Sequence, residues 1–491
     1  MFKLSSIAIL ICTSASIAAA TEFKDLIDKV PRNANAVLVI DVDRILVSKY
    51  AIDNNWKSRF DKSFADRPIY LPQESDKVVV AAQVDPIRGF AKAWEAALIG
   101  MKEPISMHLI ARAEGGYTDE INGVNTAWIP SDAYFIEIDK HLLGMMAPAN
   151  RQAISNWAKR NKKGSERELT EYLEAATKMD PKGPQIIMAL DVVDAIQSHR
   201  VHDRLQSSEI VKKNGLDIDA LAGFFSSMRG VVLEVSIRDT IKAKGRVEFD
   251  QTVPFKADVA QAFVLSVLDE NEMELPGIEE WKFAVDGDTI TFSGDLSNNN
   301  LRRVLSLLDI PSTKFSSLKD QDVEQPAEGD AAKNSQAYFN SIEGLLKDLR
   351  PKQQKANASD ARWMEQYAAK IDKLPILHVD KDLLDYGENL SETLRIMAGT
   401  RRKTGMQGAV NSRHVNDNNG YDNGYNNGYG YGNRAYRYTR AGVNETINEQ
   451  NTAKADARAA GTATKIEGWA LIDNATVDIR RAMTERYNVE F

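Results

Sequence analysis

An apolar run that ends in an aspartate occurs twice in the chain and constrains its fold most strongly. Residues 36–46 are Ala-Val-Leu-Val-Ile-Asp-Val-Asp-Arg-Ile-Leu, and residues 185–196 are Gln-Ile-Ile-Met-Ala-Leu-Asp-Val-Val-Asp-Ala-Ile. Each run predicts a strand that is covered on both faces and that leads directly into a helix. Asp191 follows Asp41 by 150 residues (191 − 41).

Two further segments repeat at nearly the same spacing. The strand pattern of Val78–Val84 returns at Val231–Ile237, an offset of 153 residues (231 − 78). Trp281 follows Trp128 by 153 residues (281 − 128), and each adjoins a predicted hairpin, the second around Asp286-Gly287. Three matches at nearly one offset favour a duplicated domain, with chance similarity between short apolar strands as the alternative.

The duplication predicts an α/β or α+β fold with tandem strand–helix units at residues 21–180 and 181–310. Apolar spacing and turn residues predict further elements inside the units. Helices are expected at 90–98, 150–161, 166–178 and 192–206, a strand at 107–111, and a hairpin around 130–132.

The composition changes after the second unit. Residues 311–335 are polar and acidic and indicate a linker. Residues 336–414 carry three apolar stripes at helical spacing, which predict helices docked on the α/β part. The stripes are Tyr338, Ile342, Leu345 and Leu349, then Trp363, Tyr367 and Ile371, then Leu383, Leu390, Leu394 and Met397.

The last part of the chain combines a biased tract with a helix. Residues 415–434 are rich in Tyr, Asn and Gly and too poor in aliphatic side chains to form a core, which predicts disorder. Residues 435–491 are predicted to be helical. Their aromatic end, Phe491, is expected to dock on the protein, since a frayed tail would not need it.

The N-terminus has the pattern of a secretory signal peptide at residues 1–20. A positive residue, an apolar run and a small-residue site follow in order and place cleavage between Ala20 and Thr21. An uncleaved anchor is the alternative, although the apolar run is short for a span. The only cysteine, Cys12, lies inside the signal, so the exported chain would have no disulfide. This favours the periplasm or cell envelope of a Gram-negative-type bacterium.

Charge and motifs exclude several classes of function. The formal net charge is −8, which argues against nucleic-acid binding because that needs a basic surface. No later segment is apolar for long enough to span a bilayer. The sequence contains no G-x-S-x-G elbow and no phosphate-binding loop, and we predict no cofactor.

Aspartates at the strand-to-helix junctions are the first candidates for chemistry. Asp41 and Asp191 match between the units, and open α/β sheets place active sites at the C-terminal ends of their strands. Asp43 and Asp194 follow closely in the sequence. The alternative is structural, because an aspartate just before a helix is a good N-cap.

Two histidines are the only candidates for a metal site. His199 and His202 are three residues apart on a predicted helix, with Asp203 adjacent. This spacing puts both imidazoles on one face, as a metal ion would need. Arg200 and Arg204 would repel a cation and no third ligand is in view, so we predict no bound metal.

The C-terminal third resembles a set of large exported proteins of planctomycete-type bacteria. The resemblance rests on Leu374-Pro-Ile-Leu-His-Val-Asp-Lys-Asp-Leu-Leu-Asp-Tyr-Gly387, on the Tyr- and Gly-rich tract, and on Met483-Thr-Glu-Arg-Tyr-Asn-Val-Glu-Phe491. It extends to the segment between the signal and the first strand. The set has no established function, so the resemblance implies export and gives no catalytic residues.

These observations favour an exported, non-enzymatic binding or structural protein of the cell envelope. Its contacts, with an unknown protein partner or another copy, would be made by the cleft between the units or by the C-terminal helices. The alternative is a periplasmic hydrolase or metal-dependent enzyme with a site between the two units. A third hypothesis is self-assembly through residues 415–434.

Overall fold

The structure, a computed structural model, describes residues 23–60, 74–86, 89–104, 106–163, 169–308, 330–350, 360–374, 376, 378–420 and 465–491. Of residues 401–420 only the backbone is described. The predicted signal peptide with its cleavage site, most of the acidic linker and most of the Tyr-, Asn- and Gly-rich tract lie outside the described residues. The predicted linker is too long, because a helix begins at Asp330.

Twelve β-strands form one antiparallel sheet. The first unit contributes β1 (Ala36–Asp41), β2 (Ser75–Asp85), β3 (Ala91–Met101), β4 (Tyr117–Glu120), β5 (Asn125–Ile129), β6 (Ala133–Asp139) and β7 (Leu142–Ala147). The second contributes β8 (Ile186–Asp191), β9 (Met228–Ile237), β10 (Ile241–Phe249), β11 (Lys282–Asp286) and β12 (Thr289–Asp295). Their order is β11-β12-β10-β9-β8-β1-β2-β3-β7-β6-β5-β4.

This strand order confirms the duplication. β1 and β8 pair in the middle, and strands follow in matching order on the two sides, β2-β3-β7-β6 and β9-β10-β12-β11. The Asp41 N–H donates to the Gln185 carbonyl at 2.9 Å, and the Asp191 N–H donates to the Asn35 carbonyl at 2.8 Å. The two units are therefore related by a local twofold axis and form one continuous sheet.

One of the three sequence matches is wrong. Trp128 lies in β5, whereas the hairpin that corresponds to β11–β12 by strand order is β6–β7. Trp281 immediately precedes β11, so the two tryptophans are not counterparts. Strands β4 and β5 extend only the first unit. The hairpins predicted around 130–132 and around Asp286-Gly287 are both confirmed.

The units also share a pair of side-chain amides that the sequence patterns did not predict. The Asn35 amide donates to the Val84 carbonyl at 2.9 Å and accepts from the Val84 N–H at 2.8 Å. The Gln185 amide makes the same two bonds to Ile237, both at 2.9 Å. Each amide precedes a central strand and satisfies backbone groups at the end of its neighbour. Left unpaired in the interior, those groups would cost free energy.

Helices connect and cover the strands. The first unit contains α1 (Phe23–Ile27), α2 (Val42–Leu46), α3 (Lys49–Asp53), α4 (Trp56–Phe60), α5 (Met107–Glu114), α6 (Arg151–Lys163) and α7 (Glu171–Ala176). The second contains α8 (Ser198–Gln206), α9 (Glu209–Asn214), α10 (Ile218–Ser226), α11 (Ala257–Glu270) and α12 (Asn298–Leu305). The C-terminal region contains α13 (Asp330–Leu349), α14 (Ala361–Asp372), α15 (Lys381–Gly420) and α16 (465–487).

Two elements of the first unit are interchanged relative to the prediction. Residues 90–98, predicted as a helix, belong mostly to β3, and residues 107–111, predicted as a strand, begin α5. The alanine-rich segment favours a helix locally, but pairing with β2 and β7 overrides that propensity. The α5 signals were present in the sequence: Ser106 caps its start and Gly115 adopts a left-handed conformation at its end.

Both faces of the sheet are covered near its centre. Leu38 and Ile40 of β1 join one apolar core with α5, α12 and the C-terminal helices. Val37 and Val39 point to the opposite face and join a second core with α1, α6 and α7. All of β1 is buried, as predicted for a strand with two covered faces.

The C-terminal helices are docked on the sheet as the sequence predicts. Every residue of the three predicted stripes is buried in the same core as Leu38. Helix α16 is attached by a buried ion pair, Lys465 Nζ to Asp360 Oδ2 at 2.8 Å. The predicted docking of the chain end is also confirmed, because the Phe491 ring is buried and lies 6.1 Å from the Phe339 ring.

We predict that the side-chain amides of Asn35 and Gln185 contribute similarly to the stability of the fold. Replacing Asn35 or Gln185 with alanine leaves a backbone N–H and carbonyl without partners, so each change should lower the free energy of unfolding by about 1–3 kcal/mol. Denaturant unfolding of the whole chain measures this. The control is Asn214→Ala, which removes an exposed amide that donates to the Ile210 carbonyl and that water can replace. A loss for Gln185→Ala no larger than for the control would contradict the prediction.

A second prediction concerns acid. Burial acts to raise the pKa of the Asp380 carboxyl, but hydrogen bonds from Arg486 and Tyr487 outweigh it and leave the pKa below its ordinary value of 3.8. A pKa lowered by folding gives stability above the unfolded value and loses it as the pH falls through the folded value. The melting temperature should therefore fall more between about pH 5 and pH 3 in the wild type than in Asp380→Asn. Equal falls would contradict the assignment.

Candidate functional site

Asp41 has a structural role at the end of β1. Its side chain is 7% exposed, and Oδ1 accepts a hydrogen bond from the Arg44 N–H at 3.1 Å, which caps the start of α2. The Arg44 guanidinium in turn donates to the Gly183 carbonyl at 2.7 Å. The N-cap alternative is therefore correct for Asp41, and its carboxylate fixes the turn that leaves the strand.

Asp191 has a comparable role at the end of β8. Its Oδ1 accepts from the Val193 N–H at 2.9 Å, and its Oδ2 accepts from the Thr170 hydroxyl at 2.5 Å. The chain then turns instead of entering a helix, with Asp194 at a φ of 59°. The helix predicted at 192–206 therefore starts too early, since α8 begins at Ser198.

The two matched aspartates do not converge. β1 and β8 run antiparallel, so Asp41 lies beside Gln185 at one end of the pair and Asp191 lies beside Asn35 at the other. Six residues along a strand separate the two positions by roughly 20 Å. Asp43 is half-exposed and forms an ion pair with Lys102 at 2.7 Å. The four acidic candidates therefore do not form one site.

The histidine candidates lie on the surface of the second unit. His202 Nε2 is 3.4 Å from Asp219 of α10, and its Nδ1 is 3.8 Å from Asp203. His199 is exposed on the same helix. Among the described residues, no group of three or more His, Cys, Asp or Glu side chains has an arrangement that could hold a metal ion.

A buried ionic cluster joins α12, α13 and α14. Arg302 Nε lies 3.0 Å from Asp348 Oδ2, and the Arg303 guanidinium donates to the Asp348 carbonyl at 2.8 Å. Burial raises the pKa of Tyr367 well above its ordinary value, so its hydroxyl stays protonated and donates to Asp348 at 3.3 Å. Arg302, Arg303, Asp348 and Tyr367 are each at most 4% exposed, so the cluster is part of the interior.

A surface groove lies on the face of the sheet opposite the buried ionic cluster. Its cavity volume is about 570 Å³, within the range of small-molecule sites. One wall is the loop after α1, with Pro31, Arg32 and Asn33. The other wall is one face of α6, and the floor comes from β3 and β7. The wall on this side consists of Asn150, which immediately precedes α6, and of Ala153, Asn156, Lys159 and Arg160 in α6. The floor residues are Ala93, Trp94 and Met146.

One hydrogen bond joins the two walls, and another fixes the floor. The Trp157 indole, on the buried side of α6, donates to the Lys29 carbonyl at 2.7 Å and so ties the helix to the loop. Gly144 of β7 makes room for this ring, since a Cβ there would lie 2.8 Å from it. In the floor, the Trp94 indole donates to Gln83 Oε1 at 3.0 Å, which fixes the orientation of its ring.

The residues that line the groove differ in charge from the chain as a whole. The lining contains three cationic residues, Arg32, Lys159 and Arg160, and no acidic residue, whereas the chain carries a net charge of −8. Such a concentration of one sign attracts anionic ligands. We call this site the cationic groove.

The cationic groove could not be predicted from the sequence, for a physical reason. Its residues come from three segments that are distant in the sequence, 31–33, 93–94 and 146–160. The pairing of β3 with β7 brings the last two together. The one local signal was the spacing of Asn150, Ala153 and Asn156 on one face of a predicted helix.

Within the described parts of the chain, no helix combines the length and apolar character needed to cross a bilayer.

Independence of the two aspartates can be tested by a double-mutant cycle. Asp41→Ala removes an N-cap and should cost about 0.5–2 kcal/mol, and Asp191→Ala should also destabilise. Because the residues lie roughly 20 Å apart, the two losses should add within about 0.5 kcal/mol. Chemical denaturation of the single and double variants measures this. A coupling energy above about 1 kcal/mol would indicate a shared site.

Comparisons with known proteins show only weak similarity in structure. No family model matches the chain, and no curated protein matches its sequence. Crystal forms I and III of TP0453 are weakly similar in structure, with sequence identities of 14% and 13% and TM-scores of 0.35. The alignments cover 58% and 57% of this chain and 98% and 97% of TP0453. A likeness at this level identifies neither a fold family nor a function.

Proposed function

We propose that the chain is an exported, non-enzymatic binding protein of the cell envelope of a Gram-negative-type bacterium, and that it binds its ligand in the cationic groove. The observation that carries the proposal is the groove itself. It combines a fixed aromatic floor, two tied walls and three cations without an acidic lining residue. Concave sites with a few convergent polar groups are the usual place for ligands.

Export is supported by the sequence alone. The first twenty residues have the pattern of a signal peptide, and the chain after Cys12 contains no cysteine. The resemblance of the C-terminal third to exported planctomycete-type proteins agrees with this address. These features support a location in the envelope and do not indicate the ligand.

The enzymatic alternative lacks the geometry that it requires. A hydrolase site between the units needs Asp41 and Asp191 in one cleft, but they lie at opposite ends of the central strand pair. A metal-dependent site needs more than the surface contacts of His202 with Asp203 and Asp219. The described residues therefore favour binding over catalysis.

Contacts with a protein partner through the cleft between the units or through the C-terminal helices stay a prediction. The units are joined into one sheet by the β1–β8 pair, and the apolar stripes of α13, α14 and α15 are buried against the sheet. Self-association through residues 415–434 stays a prediction, since that tract lies mostly outside the described residues. Deleting the tract should then abolish oligomers without unfolding the rest.

Binding to envelopes tests the proposal. Residues 21–491 are mixed with washed envelope fragments of the bacterium that encodes the chain and sedimented. The variant Arg32→Glu/Lys159→Glu/Arg160→Glu should lose most of the sedimenting fraction, because the groove then repels anions. Lys159→Glu alone, at an exposed position, should weaken binding partially.

The matched control reverses three cations elsewhere. Arg204→Glu/Lys212→Glu/Lys213→Glu changes the net charge equally on α8 and α9, where ion pairs are exposed and contribute little. It should sediment like the wild type. Circular dichroism and melting temperature establish that each variant folds. Equal losses in both triple variants, or none in the groove variant, would refute the assignment of the groove.

A further inference from the structure

We propose that the protein forms a homodimer in which β11, the outermost strand of the second unit, pairs antiparallel with β11 of a second copy. This inference goes beyond the proposed function and does not depend on the cationic groove. Three features of the sheet support it. β11 has an open edge in the described chain, its sequence is complementary to itself, and the corresponding edge of the first unit is occupied by a further strand.

The open edge follows from the position and register of β11. Among the described residues it is the last strand on its side of the sheet and pairs only with β12. The turn between them closes on Asp286 and Thr289, which form a hydrogen-bonded pair in a hairpin of this kind. Because such pairs alternate along the ladder, the backbone N–H and carbonyl groups of Phe283 and Val285 face away from β12. Neither residue makes another backbone hydrogen bond within the described chain.

β11 also lacks the features that usually protect an edge strand. An open row of N–H and carbonyl groups accepts another strand unless a proline, a bulge or repelling charges prevent it. The sequence of β11 is Lys-Phe-Ala-Val-Asp, without proline, and its register with β12 has no irregularity. A further strand can therefore extend the ladder over the full length of β11.

The sequence of β11 matches a second copy of itself. Antiparallel pairing about Ala284 aligns the whole strand with its copy. Phe283 then lies opposite Val285 of the second copy, so the outward backbone groups of the two residues meet and exchange hydrogen bonds. Lys282 lies opposite Asp286 of the second copy. Since the pairing has twofold symmetry, each contact occurs twice.

The side chains favour this register. Lys282 and Asp286 are exposed, and neither forms an ion pair with another residue of the described chain. Opposite charges directly across an antiparallel pair attract each other, because their Cβ atoms are only about 4.5–5.5 Å apart. Phe283 and Val285 are half-buried, and the Phe283 ring is held by stacking on Phe292 at 5.6 Å. A second copy would cover the exposed parts of both side chains.

The first unit shows that this edge of the fold accepts another strand. By strand order β6 is the counterpart of β11. The outer edge of β6 pairs antiparallel with β5, from Thr126 opposite Ile136 to Ile129 opposite Ala133. No described strand of the second unit occupies the equivalent place beside β11. In the dimer, β11 of the second copy occupies it.

The other edge of the sheet does not suit a second copy. β4 is short and contains Asp119 and Glu120 but no cationic residue, so pairing it with itself would bring carboxylates together. The β11 pairing uses the β11 edge of both copies and leaves only the two acidic β4 edges free. The assembly therefore closes at the dimer and does not grow into a filament.

Sedimentation velocity of residues 21–491, over about 1–200 µM protein, tests the dimer. A single strand pair is a small interface, so the dissociation constant should be roughly 10–100 µM. Lys282→Glu and Asp286→Lys each place like charges opposite one another at two symmetric positions. Each variant alone should therefore raise the dissociation constant at least about tenfold.

Mixing the two variants gives the sharpest test. In a mixed dimer the introduced glutamate faces the introduced lysine, and the native Lys282 faces the native Asp286. An equal mixture of Lys282→Glu and Asp286→Lys should therefore form dimers with nearly the wild-type dissociation constant. A folding defect cannot produce such a recovery. The matched control is Lys57→Glu, an exposed lysine of α4, which should dimerise like the wild type. Circular dichroism and melting temperature establish that each variant folds.

Several results would overturn the inference. They are a monomer at every concentration, a dimer that Lys282→Glu leaves unchanged, and no recovery in the mixture. Polymers that grow with concentration would also contradict it, because they require a heterologous contact. A dimer that disappears only when residues 415–434 are deleted would assign self-association to that tract instead of to β11.

Discussion

The antiparallel pairing of β1 with β8 is the constraint on which the rest of the structure depends. It joins two copies of one unit edge to edge, so every other strand must add outward from this pair. Alternation along β1 sends Leu38 and Ile40 to one face and Val37 and Val39 to the other. Both faces are apolar at the centre, and each therefore needs a cover of helices.

The duplication includes five strands of each unit, and the additional strands and the covering helices differ. Equivalent amides close the strand ends in both units, but β4, β5 and the covering helices α6 and α7 belong to the first unit alone. On the corresponding face of the second unit, Lys242 and Lys244 of β10 and Ser293 of β12 are exposed. The cationic groove needs α6 as a wall, so it exists only in the first unit. The copies share a scaffold and differ in what they can bind.

How far the sequence predicts this structure depends on how local each signal is. The apolar runs of β1 and β8 and the helical stripes of α13 to α15 were predictable, because burial on known faces leaves a period in the sequence. The exchange of β3 and α5 shows the limit. The segment 90–98 has a helical composition, and only its two strand neighbours make it a strand. The groove required the register of β3 with β7, which no local pattern contains.

The C-terminal helices show how a chain without disulfides can fix the direction of packing. Apolar stripes alone allow a helix to slide or rotate on an apolar sheet, since the hydrophobic effect is non-directional. Buried charges are costly to desolvate and tolerate few geometries. The Arg302–Asp348 pair joins α12 to α13, and the Lys465–Asp360 pair joins α16 to the start of α14. Few arrangements of these helices keep both buried pairs intact. Because these helices cover one face of the central strands, the same pairs fix how the helical region covers the shared sheet, and the groove is left on the other face.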